Sequence, residues 1–543
     1  MKRLICVLQL IPVALQVNED KDVNFWNRIG KENVERKLKR YPYILREKKP
    51  KNVILFIGDG LGISTLTSAR IHNNQASNHG YLTKSMFFEN FDAVGLVKTS
   101  SIDHHVTDSA AGAVSFYTGW KAESHRLGLK PGTKTFCTND NTMWITDGIA
   151  EGALDKGMEV GFVTNTRVTH ATPAALYAKG VHRKYEFDDA GKEFANCTIV
   201  DIALQLLSYP ANKFKVLMGG GKSNLRSTSN GGKRKDGRDI DIEWSNLGGK
   251  RRVMLSVEDL HEVVSEDEKL LGLFADSHVR EPSNHSLPRL YEMTVKAIKQ
   301  LQSGENGFFL MVEGGLIDVE QHVNRLYPAF RDVREFDLSI QKAREMTDPS
   351  ETLIIVTADH GHALTLPGWL PVEASLFEND FVKSAKSKEE VYFVPAMLFA
   401  TGPGYRGSFK VKEVLIHEKE LRSWNYQQPT AIPHDYGSHG GEDVGIWADG
   451  PYSQLFSASL ENTEIAYLIK FLLCMKDIDN TICDRALKGS AAPSFLQETT
   501  VIYLAPIICA AILLLLCVPL LSFLRKHYGI QLDTMSLKHS NKF

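Results

Sequence analysis

Apolar residues fall in compact runs along the body of the chain, at 52–56, 160–164, 216–218, 308–312, 352–357 and 396–400, with longer amphipathic stretches between them. Short runs without polar alternation are what strands buried on both faces require, and the amphipathic stretches suit helices laid over them. The pattern predicts a doubly wound α/β fold, a mainly parallel sheet flanked by helices. Four of the runs lead into polar or glycine-rich loops: Gly58-Asp59-Gly60, Thr164-Asn165-Thr166-Arg167, Glu313-Gly314-Gly315 and Ala358-Asp359-His360-Gly361. In an open α/β sheet, ligands gather at that carboxyl edge.

Two segments break the rhythm. Residues 222–252, rich in glycine and charge, read as a surface excursion, and 366–433, with prolines and mixed charge, as an inserted subdomain. The ends differ from the body. Met1-Lys2-Arg3, an uncharged apolar run and a polar exit predict a signal peptide at 1–17, followed by an N-terminal arm at 18–50 and the main domain at 51–487. Small and polar residues at 488–500 form a stalk. Residues 501–524 carry no charge, and at about 1.5 Å per residue they can cross a hydrocarbon core of roughly 30 Å. A basic tail, 525–543, opens with Arg525 and Lys526, as a single C-terminal transmembrane helix requires; Gly489-Ser490-Ala491-Ala492 before an apolar tail also fits a glycosylphosphatidylinositol signal. Either anchor leaves the body extracellular, at the end of the secretory pathway.

Cysteine usage agrees with an oxidising compartment. Setting aside Cys6, Cys509 and Cys517 in the apolar ends leaves Cys137, Cys197, Cys474 and Cys483, without zinc-finger spacing. Asn196 and Asn284 lie in glycosylation sequons. Charged residues are 24% of the chain and the net charge is only −2, so no overall field favours nucleic acid.

The chemistry-bearing residues cluster after the apolar runs. Asp59 stands between glycines; Asp318 and His322, at i and i+4, share a face if a helix starts after Gly315, with Glu313 at the strand end. Asp359-His360 follows another run, and His439 lies in a glycine-rich loop. Together these nitrogen and oxygen donors suffice for two zinc ions.

With Gly58-Asp59-Gly60-Leu61-Gly62, Thr107-Asp108-Ser109-Ala110-Ala111-Gly112, Thr166-Arg167-Val168-Thr169-His170-Ala171-Thr172-Pro173, Val312-Glu313-Gly314-Gly315, Thr357-Ala358-Asp359-His360-Gly361-His362 and Ser438-His439-Gly440-Gly441-Glu442-Asp443 standing in family order, the chain resembles the animal alkaline phosphatases from about 51 to 483. The resemblance implies hydrolysis of phosphate monoesters at alkaline pH, through a phosphoserine on Ser109 at the start of a helix. It implies two zinc ions and one magnesium per subunit: one zinc on Asp318, His322 and His439, the other on Asp59, Asp359 and His360, and magnesium on Asp59, Thr172 and Glu313 with His170 nearby. It makes Arg183 the phosphate clamp and leaves Arg167 a structural role. It also implies pairing of Cys137 with Cys197 and of Cys474 with Cys483, a crown-like inserted subdomain and a homodimer. The family's calcium site is not expected, because Ala275 and Leu287 stand at acidic positions and the loop at 226–237 is short. A phosphodiesterase or sulfatase could use the same zinc ligands, but Thr172, Glu313, Arg183 and Ser109 favour monoesters. An inactive binding protein would lack a ligand or the serine, and none is missing.

Overall fold

The computed structural model describes residues 21–76, 84–134, 140–191, 200–280, 286–377, 379–383, 391–407, 409, 423–476 and 478. The body divides from the C-terminal unit Thr481–Phe543, which lies wholly outside the described residues. Also outside them are the expected signal peptide, stalk, anchor and tail, Cys137, Cys197 and Cys483, both sequons, and parts of the expected insertion.

Strands β1 (Asn52–Ile57), β2 (Ala93–Lys98), β3 (Glu159–Arg167), β4 (Val216–Gly220), β5 (Arg251–Met254), β6 (Lys269–Leu273), β7 (Phe308–Glu313), β8 (Thr352–Thr357), β9 (Val444–Asp449) and β10 (Ala458–Glu461) form one sheet. Its order is β10-β2-β9-β8-β1-β7-β3-β4-β6-β5. Only β9 runs against its neighbours; every other pairing is parallel. The central strands β1, β7 and β8 are buried almost throughout, as unbroken apolar runs demand.

Helices α1 (Val23–Arg40), α2 (Ile63–Ala76), α3 (Ser109–Thr118), α4 (Leu290–Leu301), α5 (Leu316–His322), α6 (Leu326–Met346) and α7 (Asn462–Leu472) dress the sheet. α6 packs on α2, α4 and α5, and α7 on α1 and α3. Phe56 and Phe336 meet edge to face at 5.9 Å, joining β1 to α6.

Two expectations need correction. The apolar run at 396–400 is not a central strand: Leu398–Gly402 belongs to a separate three-stranded sheet with Leu364–Thr365 and Thr430–Pro433. Nor is 222–252 merely a surface excursion. Arg234 and Trp244 are fully buried, and Arg251–Met254 supplies an edge strand. Arg234 satisfies its charge on Asp201 at 3.0 Å and on Asp236, so a charged sequence signal here marks an internal ion pair.

Candidate active site

The carboxyl ends of β1, β7 and β8 lie side by side, with Ile57 opposite both Glu313 and Thr357, so the loops that follow them converge. α3 points its N-terminus into the same region. Its N-cap, Asp108, accepts from the backbone of Ala110 and Ala111, which fixes Ser109 as the first helical residue. Ser109 is buried, with Oγ 3.3 Å from His360 Nε2 and 3.4 Å from Asp59 Oδ1.

Among the described residues, three donor groups each fall within 4.8 Å: Asp318, His322, His362 and His439; Asp59, Asp359 and His360; Asp59, His170 and Glu313. Hydrogen bonding orients the imidazoles. His322 Nδ1 meets Gly437 O at 2.7 Å and His439 Nδ1 meets Thr107 O at 2.9 Å. A carbonyl only accepts, so each Nδ1 carries a proton and each ring turns its Nε2 inward. Those Nε2 atoms are 3.2 Å apart, with Asp318 oxygens 3.3 and 3.5 Å from them. Two Nε2 atoms this close beside a carboxylate need a cation between them, a proton or a metal ion. His360 repeats the device: Nδ1 meets Gly361 O at 3.2 Å, and Nε2 lies 3.4 Å from both Asp59 and Asp359. Thr172 Oγ1 is 3.5 Å from Asp59 Oδ2, beside the third group.

Buried charge sharpens the argument. Burial, and then Asp318, Asp359 and Glu313, push Asp59 well above the usual carboxylate range. Burial raises Glu313 to about 7 despite hydrogen bonds from Thr164, Thr172 and Thr166, and it raises Asp359 to about 6. For Asp318 burial also acts upward, but His322 and His362 outweigh it and hold the carboxyl well below its usual range. Burial pushes His360 down to about 3 and His439 well down. Glu313 Oε1, Asp359 Oδ2, His170 Nδ1 and His362 Nδ1 are buried without hydrogen-bond partners. Orphaned donor atoms among crowded carboxylates fit divalent metal ions.

Residues 50–475 match the family model for alkaline phosphatase. The chain belongs to the alkaline phosphatase family. Alkaline phosphatase 4 of Drosophila melanogaster is 34% identical over 517 residues, 86% of this chain and 85% of that protein. A membrane-bound alkaline phosphatase of Bombyx mori is 32% identical over 480 residues, covering 84% and 86%. The Thermus thermophilus alkaline phosphatase structure, 22% identical, aligns with a TM-score of 0.57 over 78% of this chain and 91% of its own, which shows the shared fold. The chain is therefore a phosphatase; its family and donor groups together imply metal cofactors.

As an alkaline phosphatase, the chain brings together Asp59, Ser109, Asp318, His322, Asp359, His360 and His439, and sets Glu313, Thr172 and His170 around Asp59. Arg183 reaches this centre: Nη1 lies 2.8 Å from Asp108 Oδ2 and Nη2 3.4 Å from His170 Nε2. Arg167 turns away into a two-point pair with Glu186, at 2.7 and 2.6 Å, and its Nη1 meets His278 Nε2 at 2.8 Å. His362, to which the sequence pattern assigns no role, joins the Asp318 group. Its Nε2 meets Asp318 Oδ1 at 2.6 Å. The signal was its spacing: two residues after His360 in extended chain, a side chain returns to the same side. Cys474 is disulfide-bonded, and the partners expected for the cysteine pairs lie outside the described residues.

Proposed function

We propose that the chain hydrolyses phosphate monoesters at alkaline pH through a phosphoserine on Ser109, using two zinc ions and one magnesium per subunit. The observation that carries the reading is Ser109 Oγ, held at a helix N-terminus within 3.4 Å of both Asp59 and His360. Asp318, His322 and His439 would hold one zinc, and Asp59, Asp359 and His360 the other. Asp59, Thr172 and Glu313 would hold magnesium, with His170 alongside. When bound, such ions supply Lewis-acid stabilisation to the entering and leaving oxygens.

The chain's own groups account for the remainder. Arg183 has a planar fork suited to two phosphate oxygens, and Asp108 holds it beside the serine. The α3 N-terminus favours the phosphoryl group once it is attached. Alkaline pH favours loss of the Ser109 hydroxyl proton. Serine attack forms the Ser Oγ–P bond as the ester P–O bond breaks and the alcohol leaves with a proton. Water then attacks phosphorus, Ser109 Oγ departs, and inorganic phosphate is released. Two in-line displacements return phosphorus to its starting configuration.

The membrane-bound Bombyx mori relative supports anchoring at the cell surface. We extend this to a signal peptide at 1–17, a catalytic domain at 51–487 with its insertion at 366–433, glycans on Asn196 and Asn284, pairing of Cys137 with Cys197 and Cys474 with Cys483, and a homodimer. Among the described residues no helix is long and apolar enough to cross a membrane, and 501–524 lies outside them. Lipid anchor and transmembrane helix therefore both stand.

The test is initial-rate hydrolysis of an aryl phosphate at alkaline pH, with diester and sulfate ester beside it. Activity on the monoester that chelation removes, zinc and magnesium restore, and Ser109→Ala abolishes is the expected result. A preference for the diester or sulfate ester would overturn the assignment.

A further inference from the structure

His125 lies outside every donor group, yet it touches Asp108 and Arg183 by separate links. Its backbone N–H donates to Asp108 Oδ1 at 2.9 Å and its ring Nδ1–H to Asp108 Oδ2 at 3.1 Å. Its carbonyl accepts the backbone N–H of Arg183 at 2.9 Å. The same Asp108 Oδ2 receives Arg183 Nη1 at 2.8 Å. His125 precedes the two-residue strand Arg126–Leu127, which pairs with Val181–His182 immediately before Arg183. Its ring also lies against His182, with centroids 5.4 Å apart.

This arrangement uses an uncommon backbone: φ of His125 is +67°, the left-handed region that among residues other than glycine is entered mainly by asparagine, aspartate and histidine. The side chain is 52% exposed against 8% for Asp108, so little burial is gained by holding the ring there. A half-exposed side chain on a left-handed backbone, closed onto a buried carboxylate from two directions, is shaped by that carboxylate. Backbone N–H groups of Ala110 and Ala111 hold Asp108 along the helix axis. The His125 ring adds a side-chain donor on Oδ2, the oxygen that also receives Arg183, so the ring and the guanidinium share one acceptor and set each other's approach to it.

We propose that His125 is a positioning residue for phosphate binding, acting through Asp108 to orient the Arg183 guanidinium. The inference rests on the reading of Arg183 as the phosphate clamp. A charge-assisted hydrogen bond of this kind is worth about tenfold in an equilibrium constant.

The test uses the metal-loaded full-length protein and competitive inhibition by inorganic phosphate. His125→Ala is expected to raise the inhibition constant and KM together by about tenfold, with kcat changed much less. His125→Asn, which keeps a donor and tolerates the left-handed backbone, should restore most of the loss. In an Asp108→Ala background, His125→Ala should have no further effect. An unchanged inhibition constant in His125→Ala, a full effect persisting without Asp108, or failure of His125→Asn to recover binding would each overturn the proposal. Arg183→Ala separates the two claims: if it leaves phosphate inhibition unchanged, the clamp itself is wrong; if it weakens inhibition while His125→Ala does not, only the role of His125 fails.

Discussion

Gly60 is a tight point of the centre that also needs a positive φ. Its φ is +71°, and an added Cβ would lie 2.8 Å from His362 Cδ2 and 3.1 Å from Asp318 Cα. Gly60→Ala is therefore expected to strain the backbone by about 1–2 kcal/mol and also to push on the donor group of Asp318, His322 and His439. Gly132→Ala, at φ +84° with open space around it, isolates the backbone cost. Zinc titration with thermal melting should show both variants less stable and only Gly60→Ala weakened for metal. Single side chains also set the proton balance of metal uptake. In the metal-free protein Glu313 sits at about 7 and Asp359 at about 6, so both hold protons over much of the acid range and release them when an ion binds. Calorimetry in buffers of different ionisation enthalpy should find more protons released per metal at pH 6 than at pH 9. Equal release at the two values would contradict this. At this scale the sequence was readable where a residue type carries the role. Asp318 and His322 announce themselves by spacing and Asp359-His360 by its strand end, whereas His125 acts through a positive φ and a shared carboxylate that no local pattern encodes.

Among the elements, α6 carries a partly buried acid away from the centre. Asp337 Oδ1 accepts the backbone N–H of Phe88 at 3.3 Å, and burial, with Glu89 nearby, pushes its carboxyl up to about 6. The folded state thus binds a proton more tightly than the unfolded state, so this group costs nothing well below pH 4, where both states are protonated. Its cost grows as pH rises and is complete above about 6. A shift of roughly two units corresponds to about 3 kcal/mol at most. Asp337→Asn keeps the acceptor without the charge and should raise the thermal midpoint, more at pH 8 than at pH 5, without altering kcat. A larger gain at pH 5 would reverse the sign and refute the account. The central strands were legible because burial on both faces leaves an unbroken apolar run, as in β1, β7 and β8. The run at 396–400 looked the same and went elsewhere, because composition cannot say which sheet a strand joins. β2 was not picked out, since Val94 and Leu96 are exposed on it and its apolar run does not mark a two-sided core.

For the whole molecule, the metals should act as structural cross-links as well as catalytic groups. Asp59, Glu313 and Asp359 at three strand ends and Asp318 on α5 are buried together, so an empty centre sets their charges against one another. Chelation is expected to lower the thermal midpoint measurably, and returning zinc and magnesium should restore it, rising with the logarithm of ligand excess. A melt unaffected by chelation would show the sheet carrying that repulsion unaided. The donor groups also close in a definite order along the chain. Asp59, His170 and Glu313 are all present once β7 has been made, and Asp359 and His360 follow after β8. His439 arrives only just before β9, the strand that runs against its neighbours. During vectorial synthesis the centre therefore becomes complete in stages, and its last step waits for nearly the entire body to leave the ribosome. The Asp318, His322 and His439 group is thus the one that depends on the end of the body: a chain ending before His439 carries every residue of the other two groups but lacks a donor for this one.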